Sequence, residues 1–138
     1  LAFYLIGKPT EMYAHHQGEL SWHKPSKFSG SGITDRNVLF HYGANWESAG
    51  RWGIEITTAK RKLIFCPLER LKIQKKGTID IVTLENIDYK KDQDFKAGIY
   101  NQTKTFIHGE MDGLKPLREQ VLDFKYYNKI LGKNIDIS

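Results

Sequence analysis

Trp22, Trp46 and Trp52 fall in the first half of the chain, with His23 and Arg51 beside them. An indole face offers the C–H side of a sugar ring an apolar surface, and polar neighbours can hold its hydroxyls, so the group has the composition of a carbohydrate pocket. The same rings would also fill a core or a subunit contact, and the residues by themselves leave that choice open.

A second concentration is basic. Between Lys60 and Lys76 lie Lys60, Arg61, Lys62, Arg70, Lys72, Lys75 and Lys76 against the single acid Glu69. Such a run can hold phosphates, or it can be a solvated face and edge on which lysines discourage strand-to-strand association. No basic helix and no stacking-aromatic motif accompanies it, which speaks against nucleic acid as a partner.

Other chemistries lack their signatures. Gly30-Ser31-Gly32 precedes a strand and has no third glycine, so it does not set a helix N-terminus against a pyrophosphate. Cys66 stands in apolar company before Pro67 and reads as a buried structural thiol. His15 and His16 point to opposite faces of a strand, and His23, His41 and His108 have no ligand spacing, so no metal site is expected. No catalytic or cofactor-binding residue is assigned within the chain.

Composition bounds the frame for these groups. The chain has 138 residues, enough for one domain, with 40% hydrophobic and 27% charged residues and a formal net charge of +5. A single cysteine excludes an internal disulfide and makes the cytoplasm the expected compartment. No apolar run approaches the roughly 20 residues of a membrane span, so no membrane partner is expected. Leu1 to Ile6 reads as the last turns of a helix stopped by Gly7 and Pro9, which points to a piece of a longer protein.

Alternation predicts strands over Glu11–His23, Asn37–Glu47 and Arg51–Thr58, a nearly continuous apolar run predicts another over Lys62–Pro67, and two short strands follow at Leu71–Gln74 and Thr78–Leu84, with Lys24–Asp35 as loop. Met12, Ala14, Leu20 and Trp22 share one parity, as do Val38, Phe40, Tyr42, Ala44 and Trp46. The period then changes. Phe95, Ile99 and Phe106 predict a helix closed by Gly109, and a second runs from Pro116 to Gly132 with Leu117, Val121, Phe124 and Leu131 as its apolar stripe. Strands first and helices last predict an α+β, two-layer domain: one large, open, mainly antiparallel sheet with helices on one face. Leu63 and Phe65 oppose Ile64 and Cys66, and Leu39 breaks its polar set, so the central strands read as buried on both sides. Self-association through the bare sheet face, as a homodimer or higher homo-oligomer, is the expected way to cover it.

The order of several segments resembles the C-terminal domain of the glucose–fructose oxidoreductase, inositol dehydrogenase and MocA family. Those segments are Leu1-Ala-Phe-Tyr-Leu-Ile-Gly-Lys-Pro9 followed by a strand, and Asn45-Trp46 with Gly50-Arg51-Trp52-Gly53-Ile54-Glu55-Ile56. The helix containing Tyr100 and Gln102 and the closing helix from Leu117 complete the set. The resemblance implies a dihydrodipicolinate-reductase-like sheet that supplies substrate pocket and subunit contacts to an oxidoreductase acting on a sugar or nucleotide-linked sugar. It implies an N-terminal Rossmann domain, outside this chain, that holds NAD or NADP and the lysine assisting proton transfer. The chain by itself is then expected to bind no cofactor and to turn nothing over. Carried onto this sequence, the substrate-binding candidates are Tyr100 and Gln102 on the helix, with Arg51, Trp46, Trp22 and His23 behind them. The alternative from another class is a stand-alone β-rich binding or scaffold module with an anionic ligand at Lys60–Lys76.

Overall fold

The computed structural model describes residues 1–133. Its elements are α1 (Ala2–Ile6), β1 (Pro9–Gln17), β2 (Lys27–Thr34), β3 (Leu39–Asn45), β4 (Ile54–Thr57), β5 (Arg61–Phe65), β6 (Leu71–Lys75) and β7 (Ile81–Thr83), then α2 (Lys90–Asp94), α3 (Ile99–Ile107), a 3-10 turn at Met111–Gly113, and α4 (Leu117–Leu131). The chain is α+β and its strand pairs are all antiparallel, but the strands form two sheets, β1-β2-β3 and β4-β5-β6-β7, where one was expected. Two compact units follow: residues 1–49 with the segment from Pro116, and residues 50–115. The break has a local cause. Past Asn45 the chain is held to β2, with the Trp46 amide donating to the Ser26 carbonyl at 3.0 Å, and the alternating Arg51–Gly53 stretch pairs with no strand.

In the first unit the register builds rows across the sheet. Met12, Gly32 and Phe40 make one row, Ala14, Gly30 and Tyr42 the next, and His16, Phe28 and Ala44 the third. Cross-strand partners share a face, so the first two rows set the Phe40 and Tyr42 rings each beside a glycine. This explains the strand that alternation missed. Ser29-Gly30-Ser31-Gly32 has the composition of a loop, yet a Cβ on Gly32 would meet the Glu11 carbonyl oxygen and the Phe40 ring, and one on Gly30 would meet the Tyr13 carbonyl oxygen and Tyr42. Glycine is required there so that rings from β3 can lie over β2. The β2–β3 hairpin closes through Asn37 at φ 58°, a left-handed position that asparagine tolerates.

The inward set, Met12, Ala14, Phe40, Tyr42 and Ala44, is the one alternation predicts, and Met12 and Phe28 are buried. Two outward rows are polar, Tyr13, Ser31 and His41, then His15, Ser29 and Gly43, while another, Glu11, Ile33 and Leu39, leaves Leu39 exposed rather than buried on a second side. The Tyr42 hydroxyl is buried with no hydrogen-bond partner among the described residues, and burial pushes its pKa up. An unsatisfied buried hydroxyl costs stability, so Tyr42→Phe is expected to leave unfolding by urea unchanged or to stabilise by about 1 kcal/mol. A clear loss of stability would show that the hydroxyl has a partner in solution.

α4 packs across β1 and β2, as one layer of helix on one sheet face. Its orientation differs from the expected stripe. Leu117, Val121 and Phe124 stay exposed and Leu131 is half-buried, while Asp123, Tyr126 and Asn128 are buried. The anchors are aromatic and ionic. Tyr126 meets Phe3 edge-on at 5.3 Å, Phe3 meets Phe40 at 6.2 Å, and the Asp123 carboxylate lies 3.8 Å from the Lys8 ammonium.

The second unit's sheet is amphipathic. Ile54, Ile56, Leu63, Phe65, Leu71, Ile73 and Val82 share a face by register, and Glu55, Thr57, Lys62, Lys72 and Gln74 share the other. Ile64, on the polar side, is nevertheless the buried strand residue, while the members of the apolar face are half-buried or exposed. Cys66 is exposed rather than buried, because β5 ends at Phe65 and the chain bends away toward Pro67. Tyr89 is buried and ties the sheet's edge: its hydroxyl donates to the Leu84 carbonyl at 3.1 Å and accepts from the Leu71 amide at 3.3 Å. The helix expected from Phe95 begins at Ile99, after the short α2.

Candidate functional site

One end of the first sheet gathers three of the sequence-derived candidates. The β1–β2 connection carries a tight turn in which Leu20 and His23 exchange backbone hydrogen bonds of 2.8 and 3.3 Å. Trp22 and His23 stand on this turn, and Trp46 follows β3. Trp22 and Trp46 stack with ring centroids 5.5 Å apart and planes 7° from parallel. His23 lies 4.9 Å from the Trp46 ring and 5.8 Å from that of Trp22, and Phe28 supports Trp46 at 5.2 Å. Trp22 remains 71% exposed and Trp46 40%. The result is an open aromatic platform. The His23 Nδ1 lies 2.9 Å from the Pro25 carbonyl oxygen, which only accepts, so Nδ1 carries the hydrogen and Nε2 of the neutral ring is left as an acceptor.

What fixes the platform lies beneath it. Ser26 is fully buried; its amide donates to the Gln17 carbonyl at 3.1 Å and its hydroxyl to Glu47 Oε2 at 3.0 Å. Lys27 Nζ reaches the same oxygen at 3.0 Å. Gly18, at φ 81°, has no room for a Cβ beside the Ser26 hydroxyl. Sequence reasoning missed Ser26, Lys27, Phe28 and Glu47 because reading Lys24–Asp35 as loop hid the pairing that sets Phe28 diagonally across from Trp46. No alternation marks this strand in the sequence, because two of its inward positions, Gly30 and Gly32, carry no side chain.

The hydrogen bond from Lys27, then that from Ser26, and the Lys27 charge hold the Glu47 carboxyl below the usual carboxylate range. A lowered folded pKa means that this group's contribution to stability is present above the unfolded value of about 4.3 and is lost as pH falls through the lower folded value. Melting followed by tryptophan fluorescence from about pH 6 to about pH 3 is therefore expected to fall less steeply in Glu47→Gln than in the wild type. Equal acid slopes would place the Glu47 contact outside the stability of this unit.

The remaining candidates belong to the second unit. Tyr100 stacks on Phe95 at 5.3 Å, with Lys91 Nζ 4.4 Å from its ring centroid. It borders a shallow hollow of about 380 Å³ with Phe95, Ile99, Thr103 and Ile107. Gln102 is exposed and, two positions along the helix, faces away from that hollow. Arg51 and Trp52 are exposed in the segment before β4. The platform thus unites Trp22, His23 and Trp46, while Tyr100, Gln102, Arg51 and Trp52 are held by the other unit.

The basic run is resolved residue by residue. Lys62 pairs with Glu55 at 2.9 Å, and the Arg70 guanidinium lies 4.5 Å from the Tyr89 ring centroid. Arg61 and Lys75 are cross-strand partners, and the Lys76 amide donates to the Lys60 carbonyl at 3.0 Å, so the β4–β5 and β6–β7 turns lie side by side. Among the described residues Lys60, Arg61, Lys75 and Lys76 have no ion-pair partner. Also among the described residues, no three His, Cys, Asp or Glu side chains form a metal-holding group, and no helix is long and apolar enough to cross a membrane. No family model, no curated protein and no solved structure matches the chain.

Proposed function

We propose that the chain binds a saccharide on the Trp22–Trp46 platform, as the substrate-side domain of an NAD(P)-dependent oxidoreductase acting on a sugar or nucleotide-linked sugar. The observation that carries the binding reading is the parallel indole pair with one partner largely open to solvent, flanked by a histidine whose fixed tautomer leaves an acceptor for a hydroxyl. The oxidoreductase reading rests on the resemblance in segment order, including the helix that bears Tyr100 and Gln102 and the Arg51 segment. The exposed Leu117, Val121 and Phe124 stripe of α4 is the kind of apolar surface that a dinucleotide-binding half would cover. The bare apolar face of the second sheet likewise favours contact with a second copy of the chain. Cytoplasmic residence accords with the single free cysteine.

Two measurements test this. Titrating monosaccharides and nucleotide-linked sugars against intrinsic tryptophan fluorescence should give a saturable change, whereas NADH should give none, since no segment here carries a dinucleotide fingerprint. No response to any sugar would remove the binding reading. The open reading frame upstream of Leu1 should encode a strand, a GxGxxG turn and a helix, and a frame without them would remove the oxidoreductase reading. A second reading, a binding module for an anionic ligand, is favoured by the four cations at one end of the second sheet that have no ion-pair partner among the described residues.

A further inference from the structure

We infer that the end of the second sheet formed by the β4–β5 and β6–β7 turns binds the surface of an anionic bilayer. The inference rests on the anionic-ligand reading above and commits it to one partner. Register places Arg61 beside Lys75, and the Lys76–Lys60 backbone hydrogen bond of 3.0 Å joins the two turns, so four cations crown one end of the sheet. Asp80 in the same β6–β7 loop is the acid nearest in sequence, so the cluster keeps a positive excess.

The loop carries a second feature that points to the partner. Ile79 is 91% exposed, the most exposed large hydrophobic residue among those described, and Ile81 and Val82 on the adjoining edge strand are also exposed. The loop is shaped to present it: the Thr78 amide donates to the Lys75 carbonyl at 3.2 Å and Gln74 Nε2 to the Thr78 carbonyl at 3.1 Å. A free phosphate would need a cradle of converging donors, whereas the space beside Gly77 in the β6–β7 turn is open, with nothing within 4 Å of its Cβ position. A nucleic acid would need rings for stacking, and no aromatic side chain lies in either turn. An anionic leaflet satisfies both features, because cations are attracted to its surface charge and an apolar tip is buried among the headgroups. Surface binding of this kind needs no membrane-spanning helix.

The experiment is co-sedimentation of the full chain with vesicles of phosphatidylcholine alone or of phosphatidylcholine with phosphatidylserine. Binding is expected only to the anionic vesicles and should weaken as salt rises. Lys75→Ala with Lys76→Ala should weaken it by on the order of fivefold per cation removed. Ile79→Ser should weaken binding without altering the salt dependence, and Lys90→Ala with Lys96→Ala, elsewhere in the unit, should change it little. Equal binding to neutral vesicles, or insensitivity to Lys75 and Lys76, overturns the proposal. Retention on heparin or RNA without vesicle binding overturns the bilayer as partner and keeps the anionic-ligand reading, whereas no binding to any polyanion overturns both.

Discussion

Gly32→Val is expected to unfold the first unit at room temperature, or to destabilise it by at least about 3 kcal/mol. The Cβ itself is the difficulty, since it would overlap the Glu11 carbonyl oxygen and approach Phe40 ring atoms at 2.8 and 2.9 Å. The carbonyl is part of the neighbouring strand and moves only if β1 leaves its ladder. Phe40 has little room to yield, because Phe3 meets it edge-on and Tyr126 backs Phe3. Gly32→Ala should therefore carry most of the cost. Gly43, on the outward face of the same sheet, is the control: nothing lies within 4 Å of its Cβ position. Gly43→Ala should be neutral or stabilise by about 0.5–1 kcal/mol, through lower unfolded-state entropy. Urea unfolding read by tryptophan fluorescence compares the three proteins, and a Gly32→Ala protein as stable as Gly43→Ala would overturn the row of ring over glycine.

Trp22→Ala should separate binding from stability. With 71% of its surface exposed, Trp22 contributes little to the fold, yet it is the open half of the stacked pair. Burying an aromatic side chain's apolar surface under a ligand contributes on the order of 1.5–3 kcal/mol, so the saccharide dissociation constant should rise by about ten- to a hundredfold. Trp22→Phe keeps a stacking face and should recover part of that loss. Trp46→Ala differs, since Phe28 and His23 both pack on the lost indole and the variant should lose stability as well as binding. Calorimetric titration of Trp22→Ala at temperatures where its melting matches the wild type is the decisive measurement. Undiminished affinity there would move the sugar site away from the platform.

Alternation was a reliable guide where the inward positions themselves carry apolar side chains. It marked Met12 and Ala14, Phe40, Tyr42 and Ala44, and the strand around Ile54, because a two-residue period survives single exceptions, while the strand around Leu63 was marked by its nearly continuous apolar run. It failed at β2 because glycine has no hydrophobicity to alternate, and the reason for glycine at 30 and 32 lies on another strand. The α4 stripe failed differently. Leu117, Val121 and Phe124 have the right spacing, but Lys8 and Phe3, more than a hundred residues away in sequence, select Asp123 and Tyr126 as the covered side. For the candidate site, the grouping of Trp22, His23 and Trp46 was legible from composition. Its support by Ser26, Lys27 and Glu47 was not, since it depends on the pairing of the overlooked strand. Cys66 looked buried because its neighbours are apolar, and its exposure follows from where the β5 ladder ends.

The first unit is also discontinuous in sequence, and this bears on how it is made. β1, β2 and β3 pair with their neighbours in the chain and can form as soon as Asn45 is available, but the helix that covers them starts at Leu117. A ribosome adding about 5–20 residues per second needs several seconds to reach that helix. During that interval the rings of Phe40 and Tyr42 face water on an uncovered sheet, while the second unit, contiguous in sequence, can already be complete. Nascent chains halted before Leu117 should therefore engage a chaperone that binds exposed aromatic surface, and release it once Leu131 has left the exit tunnel.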